Sequence, residues 1–357
     1  MATPAPPTIA AAFGPAHAPG LGLDDVVGHA AARRWLADRV RERALPHALL
    51  VIGPRGVGKR TLAQALVAQH FCATGAGCGT CASCGALRRG NHPGLVTVAV
   101  PEGKSSIPID SIQQLSRELS LRPADERGRI ALLLGADRMT APAQDALLKT
   151  LEEPPPGNFL VLTAARQDAL LATIRSRCQR IALAPLTDDQ VGEVAKRLGL
   201  TLTVPVSVAA GCPGLLAELA SPQLERLRRG VAKLLAEERG GDDLAKWIAL
   251  LHDGLPAKDA EPAQVRERAH LLLRLAGALA RDAVVLRAAG GAGMVRNLDL
   301  LERLQAIAGR PEWEEPIDSL GRLARAHDRI EGNVDPASAL ACALDPAADE
   351  AARAGEG

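Results

Sequence analysis

The pattern with the clearest chemical meaning is a near-match to a phosphate-binding loop, which begins at Gly53 and reads Gly-Pro-Arg-Gly-Val-Gly-Lys-Arg-Thr. Gly53, Gly58 and Lys59 fit the pattern Gly-x-x-x-x-Gly-Lys-[Ser/Thr], in which backbone N–H groups and the lysine bind phosphate oxygens. Arg60 stands where a hydroxyl should hold Mg²⁺. Thr61 follows about 100° further round a helix, so it does not replace that hydroxyl. The loop therefore permits ATP binding, leaves its occupancy open and disfavours hydrolysis.

Four cysteines form the strongest metal-binding pattern, which is Cys-x5-Cys-x2-Cys-x2-Cys. The two overlapping Cys-x2-Cys pairs predict a closed tetrahedral zinc site of the structural type, because four thiolates leave no open coordination position for catalysis. The alternatives are free or redox-active thiols and a disulfide, and a disulfide is disfavoured in a cytoplasmic chain. The predicted zinc ligands are Cys72, Cys78, Cys81 and Cys84.

An ATPase with this kind of loop also needs acidic residues at the end of a neighbouring core strand, where they hold Mg²⁺ and polarise water. The candidate strand at 130–134 ends instead in Leu134 and Gly135. Asp137 comes later, and we expect it to cap the following helix or to pair with an arginine. Together with the altered loop, this departure predicts that the chain does not hydrolyse ATP. A shifted metal site made by Thr61 and Asp137 is the alternative.

Hydrophobic periodicity predicts an α/β region followed by helices. Short apolar runs indicate buried parallel strands, and the helical stretches between them indicate a doubly wound parallel sheet. Thr187 and Gln190 form a capping-box pattern at the start of a later helix. We expect strands at 47–52, 130–134 and 159–163, and helices at 29–43, 59–71 and 140–153. Apolar residues at three- and four-residue intervals predict further helices at 223–238, 262–289, 296–308 and 316–331.

These patterns divide the chain into five segments. They are a disordered tail at 1–20, an α/β domain at 21–185 with a cysteine knuckle at 72–84, a helical lid at 186–220, an all-helical domain at 221–345 and a frayed tail at 346–357. The first tail lacks the basic and apolar regions of a signal peptide. No apolar run is long enough to cross a membrane, so we expect a cytoplasmic protein without membrane partners.

The composition narrows the classes of function. The 357 residues carry a net charge of +1, which disfavours tight DNA binding by this chain alone. With three Phe, three Trp and no Tyr, a base-stacking platform for single-stranded nucleic acid is also disfavoured. A zinc-ribbon nucleic-acid-binding module is a further hypothesis, but only Arg88 and Arg89 supply the basic residues that it needs around the knuckle.

Several motifs follow one another along residues 21–220. They are the segments 26–29, 47–50, 91–93 and 109–112, the phosphate loop, the knuckle, the stretch Asp145-Ala-Leu-Leu-Lys-Thr-Leu-Glu-Glu-Pro-Pro155, and Ser176-Arg177-Cys178. In this order they resemble the clamp-loader subunits of bacterial DNA polymerase III, in the AAA+ superfamily. The resemblance implies an AAA+ phosphate-loop domain, a small helical lid and an all-α C-terminal collar domain.

The clamp-loader family contains an ATP-hydrolysing gamma/tau type and a delta-prime type that does not turn over ATP. Three departures favour the delta-prime type: Arg60, the pair Leu134 and Gly135, and the segment 211–214, which stands where a lid arginine is expected. An active gamma/tau-like ATPase is the alternative. The first spacer of the knuckle is shorter than in the family pattern, so whether Cys72 is the fourth zinc ligand is a point for the structure to test.

The resemblance also implies partners. The chain would join gamma/tau and delta subunits in a ring that places a sliding clamp on primed DNA, with contacts to DNA phosphates shared among the subunits. Arg177 would act in trans as an arginine finger at the ATP of a neighbouring subunit. Taken alone, an arginine in such a position is more often a surface charge or part of an ion pair.

Overall fold

The structure is a computed structural model that describes most of the chain. The predicted tail at 1–20 and most of the predicted tail at 346–357 lie outside the described residues. Two compact units are present: the first runs to Leu200 and includes Gly211–Leu215, and the second comprises Thr201–Ala210 and residues from Leu216 onward. The boundaries of the lid at 186–220 stay predictions. The described residues are 22–122, 126–202, 204–237, 243–255, 262–289, 292–310, 316–331, 334–344, 349–350, 352 and 354.

Five parallel strands form one sheet in the first unit, in the order β2-β3-β4-β1-β5. The strands are β1 (Ala48–Ile52), β2 (Leu95–Val98), β3 (Arg129–Leu133), β4 (Asn158–Ala164) and β5 (Gln179–Ala182). Strand β1 pairs through Leu50 with Leu162 of β4 on one side and with Arg180 of the edge strand β5 on the other. The three predicted strands are confirmed as β1, β3 and β4, whereas β2 and β5 were not predicted.

Helices accompany the sheet along the first unit. They are α1 (Ala30–Arg41), α2 (Lys59–Phe71), α3 (Ala82–Arg88), α4 (Ile109–Ser120), α5 (Ala141–Glu152), α6 (Ala172–Arg177) and α7 (Asp188–Arg197), and α8 (Pro213–Leu219) begins within this unit. The predicted capping box of α7 is confirmed: the Gln190 backbone N–H donates to Thr187 Oγ1 at 3.3 Å, and the Thr187 N–H donates to Gln190 Oε1 at 3.1 Å. Both donors would otherwise lack a partner in the first turn of the helix.

Two hydrophobic cores cover the two faces of the sheet, because alternate residues of a strand point to opposite sides. On one face, Leu49 and Val51 of β1 pack in a cluster with Leu62 and Leu66 of α2. On the other face, the cluster includes Leu50 of β1, with partners from α4 and α5 that are Ile112, Leu115, Leu147 and Leu151. The doubly wound α/β architecture predicted from the sequence is therefore confirmed.

All the regular secondary structure described in the second unit is helical. Its helices are α9 (Pro222–Ala236), α10 (Asp243–His252), α11 (Pro262–Ala289), α12 (Leu301–Ala308), α13 (Pro316–Glu331) and α14 (Pro336–Leu344). The long helix α11 contacts each of the other five. The four helical stretches predicted from periodicity are confirmed as α9, α11, α12 and α13. None of the described helices has the length and apolar character that a membrane span requires.

A buried arginine anchors the second unit. Arg228 of α9 is 1% exposed, and its guanidinium donates to Glu225 Oε2 at 2.8 Å, to Asn297 Oδ1 at 2.8 Å and to the carboxylate of Asp299. Removing one partner of a buried ion pair is costly because the remaining charges lose their compensation. We expect Arg228→Ala to lower the free energy of unfolding of this unit by about 3 kcal/mol, measured by urea denaturation followed by circular dichroism.

The matched control is Arg226→Ala, since Arg226 is exposed on the same helix. An exposed substitution of this kind is expected to change stability by about 0.5 kcal/mol or less. Equal losses for the two variants would contradict a stabilising role for the Arg228 network.

Candidate functional site

The phosphate-binding loop connects β1 to α2 and has the expected backbone shape. Gly56 and Gly58 have φ angles of 81° and 110°, in the left-handed region that a side chain disfavours. Gly58 is the N-cap of α2, so the first backbone N–H groups of that helix lie beside the loop. The structure thus brings Gly53, Gly58 and Lys59 together at the carboxyl end of β1, as the sequence predicts for a loop of this kind.

Lys59 is bound by the loop itself. Its ammonium donates to the carbonyl oxygens of Gly53 at 2.7 Å and of Pro54 at 2.9 Å. Burial lowers the pKa of Lys59, and the nearby Asp137 and Cys212 act in the opposite direction. A phosphate would have to compete with two carbonyl oxygens for this ammonium group.

The segment Gly211–Gly214, where the family resemblance places a lid arginine, lies directly against the loop. The Gly214 N–H donates to the Gly56 carbonyl at 3.0 Å. A Cβ atom built on Gly214 would lie 2.7 Å from Gly56 Cα, closer than side chains pack. An arginine at position 214 is therefore incompatible with the backbone contact between Gly214 and Gly56, which the sequence alone did not reveal. A further contact to the loop comes from His29, whose imidazole Nε2 lies 3.0 Å from the Val57 carbonyl oxygen.

The residues after β3 do not form an acidic Mg²⁺ site. Gly135 donates its N–H to Thr163 Oγ1 at 3.0 Å. Asp137 accepts hydrogen bonds from the backbone N–H groups of Ala165 and Arg166, both at 3.1 Å. The expectation that Asp137 caps the following helix is wrong, because Thr140 caps α5 by accepting from the Ala143 N–H. Asp137 instead fixes the loop that follows β4, because that loop leaves two N–H groups without a strand partner.

The alternative Mg²⁺ site would need the hydroxyl of Thr61, which lies on the exposed side of α2. Arg60, next to it, is also exposed, and its pKa is lowered by desolvation. A cation at this position is electrostatically opposed to a bound Mg²⁺ ion. The local charge therefore argues against the shifted metal site.

The four cysteines of the knuckle meet in space. Their Sγ atoms all lie within 4.8 Å of one another. Tetrahedral zinc with bonds of about 2.3 Å to sulfur requires sulfur–sulfur separations of about 3.8 Å, so the set fits this ion. Cys72 joins the other three despite the short first spacer, and its Sγ accepts the Cys78 N–H at 3.3 Å. Cys81 caps α3 by accepting the Cys84 N–H at 3.5 Å.

The local environment gives Cys72, Cys78 and Cys84 different pKa values. Burial raises the pKa of Cys72, but hydrogen bonds from Thr74 and from nearby N–H groups outweigh it and lower this pKa to about 5. A hydrogen bond from the Thr80 hydroxyl, with others from nearby N–H groups, lowers the pKa of Cys78 to about 7. Burial raises the pKa of Cys84 to about 12. Zinc binds the thiolate form of cysteine. The lowered pKa values of Cys72 and Cys78 favour that form, whereas Cys84 would lose its proton only with a bound cation beside it.

Arg177 is the last residue of α6 and is about one-third exposed at its side chain, 36%. Its Nη2 lies 2.7 Å from Glu152 Oε1, and its Nη1 donates to the Thr173 carbonyl at 3.1 Å. The adjacent residues Ser176 and Cys178 line a surface groove of about 540 Å³. The arginines that line this groove are Arg175 and Arg180.

The arginine-rich groove and the phosphate loop are separate features of the first unit. Arg177 has no hydrogen bond or ion pair to the loop among the contacts of the described residues. The groove carries positive charge from Arg175 and Arg180 near the edge strand β5, whose first residues Gln179 and Arg180 are exposed. Such a surface favours an anionic group supplied from outside the chain.

Comparison with known proteins places these features in context. Residues 28–187 match the family described as "DNA polymerase III, delta subunit". The chain is 30% identical over 220 residues to the DNA polymerase III subunit delta-prime of Escherichia coli, covering 59% of this chain and 66% of that protein. It is also 30% identical over 172 residues to the tau/gamma subunit of Haemophilus influenzae, covering 47% of this chain and 25% of that protein.

A solved structure of the Thermotoga maritima RuvB branch migration motor aligns with 85% of this chain and 91% of that one, at 17% identity and a TM-score of 0.41, too low to support a conclusion. The matched segments span less than two thirds of the length of the two curated relatives. The described residues form a five-stranded parallel α/β domain followed by a helical C-terminal region. The chain is related to the delta-prime subunits of DNA polymerase III, and its residues 28–187 belong to their family.

Proposed function

We propose that this protein is a delta-prime-type subunit of a DNA polymerase III clamp loader that does not hydrolyse ATP itself. The observation that carries the proposal is that Arg177 is partly exposed and held by an ion pair and a hydrogen bond, while the phosphate loop of the same unit lacks the groups for hydrolysis. Arg177 lies in the chain between two residues that line a basic groove, whereas Lys59 is bound to its own loop and Asp137 to backbone N–H groups. The chain has kept the group that acts on a neighbour and has lost the groups that act on its own nucleotide.

Arg177 supplies the chemistry in this proposal. A guanidinium aimed at the transferring phosphate of a neighbouring gamma/tau subunit stabilises the negative charge that develops there. Its five N–H donors match the geometry of phosphate oxygens. Because the arginine comes from another subunit, hydrolysis by that neighbour depends on correct assembly.

The cysteine knuckle has a structural role. Cys72, Cys78, Cys81 and Cys84 would hold one zinc ion, and their short mutual distances support this assignment. Cys72 and Cys84 are buried in the core that also contains Phe71 of α2. Zinc would therefore fix the knuckle against α2 and α3. It takes no part in the reaction, since four protein ligands leave no position for substrate.

The proposed partners follow from the same relationship. They are the gamma/tau and delta subunits, with the sliding clamp and primed DNA reached through the complex. The net charge of +1 suits a subunit that shares DNA phosphate contacts with its neighbours instead of binding DNA alone. In this assembly the helices of the second unit would contribute to a collar.

The first test is ATP turnover by the purified chain. We expect no turnover above background with or without clamp and primed DNA, because the loop lacks the Mg²⁺ hydroxyl and the strand end lacks acids. Lys59→Ala is expected to leave this background unchanged. The same preparation added to gamma/tau and delta subunits is expected to raise their DNA-stimulated turnover.

The alternative is an active gamma/tau-like ATPase. Turnover by the chain alone that disappears in Lys59→Ala would establish it and would contradict a non-hydrolysing subunit. Failure to raise the turnover of the other subunits would contradict the clamp-loader assignment.

A further inference from the structure

An ion pair holds the side chain of Arg177 against the end of a second helix. Arg177 is the last residue of α6 and Glu152 is the last residue of α5. The distance from Arg177 Nη2 to Glu152 Oε1 is 2.7 Å. The second terminal nitrogen, Nη1, donates to the Thr173 carbonyl one turn earlier on α6. Two terminal nitrogens are thus anchored within the same subunit. A guanidinium has five N–H donors, so the donors not used in these contacts are available to an external anion.

The position of Glu152 is unfavourable for a carboxylate on local grounds. The C-terminal end of a helix carries partial negative charge and disfavours acidic side chains. Glu152 is the last residue of α5, and Glu153 follows it directly. Arg177, in contrast, is a cation at the C-terminal end of α6, where the helix dipole favours it. The ion pair with Arg177 therefore offsets the unfavourable interaction between the Glu152 carboxylate and the dipole of α5.

We propose that Glu152 is a positioning residue for Arg177, an inference that rests on the proposed function of Arg177 as an arginine finger. Glu152 and Thr173 hold the guanidinium in one orientation before the phosphate of the neighbouring subunit arrives. A free arginine side chain samples many rotamers and loses that freedom on binding, whereas a restrained one has already lost part of it. Pre-orientation of this kind raises the rate of the step that needs the correct geometry.

The sign of the effect separates positioning from simple electrostatics. Glu152 carries a negative charge close to Arg177, so its charge alone would repel a phosphate and slow the reaction. If Glu152 acted only through that charge, its removal would raise the turnover of the complex. If it positions Arg177, its removal lowers turnover.

The test uses the complex reconstituted with gamma/tau and delta subunits, clamp and primed DNA. Glu152→Ala removes both charge and acceptor, and we expect it to lower kcat about two- to five-fold, the range that an exposed ion pair allows. The KM for ATP, which is bound by the neighbour, is expected to stay unchanged. Glu152→Gln keeps the size and one acceptor oxygen, so it should fall between wild type and Glu152→Ala. The matched control is Glu153→Gln, which removes the adjacent charge and should have no effect.

Two further measurements exclude a general structural effect. Raising ionic strength screens an exposed ion pair, so the difference between wild type and Glu152→Ala should shrink with added salt. In the Arg177→Ala background, Glu152→Ala should cause no further loss, since the group that it positions is absent. Circular dichroism melts of each variant verify that the chain is folded.

The outcomes distinguish this inference from the proposed function. No effect of Arg177→Ala on the complex would overturn the arginine-finger assignment itself. A loss with Arg177→Ala combined with an additive, salt-independent loss with Glu152→Ala would overturn only the positioning role. A higher turnover in Glu152→Ala, or equal losses in Glu152→Gln and Glu153→Gln, would overturn it as well.

Discussion

Cys84→Ala is expected to release zinc from the purified protein and to lower its free energy of unfolding by about 3 kcal/mol or more, because structural zinc sites contribute their binding energy directly to folding. Cys84 is fully buried, and with Cys72 it belongs to the core beside Phe71 and Leu87. Loss of the ion would leave thiols with unequal pKa values and no common partner inside that core. Elemental analysis of metal content and urea unfolding of the same preparation measure both effects.

A matched substitution separates zinc loss from cavity formation. Cys178→Ala removes a buried thiol outside the knuckle, from the same unit, and should keep the zinc content of the wild type. A strong chelator added to the wild type should reproduce the destabilisation of Cys84→Ala. Wild-type protein that contains no zinc, or whose unfolding is insensitive to the chelator, would contradict the zinc site. A mass two hydrogens below that of the reduced chain would instead indicate a disulfide.

The parts of the fold that could be predicted from sequence are those with a strong local signal. The strands β1, β3 and β4 consist mostly of apolar residues and are buried on both faces, and the helices of the second unit repeat apolar residues at helical spacing. β5 escaped prediction because three of its four residues are exposed. It is an edge strand that exists through pairing with β1, which no local pattern records.

The features of the candidate site also divide into those that a local sequence pattern predicts and those that depend on packing between distant segments. The loop glycines, Lys59 and the cysteine set are short-range patterns, and the structure brings each set together. Contacts between distant segments were not predictable: Gly214 against Gly56, and Glu152 against Arg177, depend on how separate elements pack. The error over Asp137 has the same origin, since its backbone donors follow a different strand.

Arg177→Ala should produce the largest change in activity. Arginine fingers supplied in trans are worth about 10³-fold or more in the rate at the site that they serve. We therefore expect clamp loading by the reconstituted complex to fall by a factor approaching that value. Total ATP turnover by the complex should fall less if other gamma/tau sites continue to hydrolyse ATP. Clamp loading and ATP turnover measured on the same preparation give both numbers.

The controls for this prediction come from the same short segment. Arg180→Ala removes an equal charge from the neighbouring groove and should reduce loading only a few-fold, since an exposed charge mainly affects association. Arg177→Lys keeps the charge but loses the planar set of donors, so it should resemble Arg177→Ala more than wild type. Size-exclusion chromatography verifies that each complex has assembled.

The comparison of these three variants identifies what the arginine contributes. If positive charge in this part of the surface were sufficient, Arg177→Lys would keep loading near the wild-type level and Arg180→Ala would impair it as strongly as Arg177→Ala. If the directed guanidinium is required, only the two changes at Arg177 are severe. The second result is expected, because among Arg175, Arg177 and Arg180 only Arg177 is held by both a carboxylate and a helix carbonyl in the contacts of the described residues. Normal loading by Arg177→Ala in a fully assembled complex would show that this subunit activates its neighbour by another route.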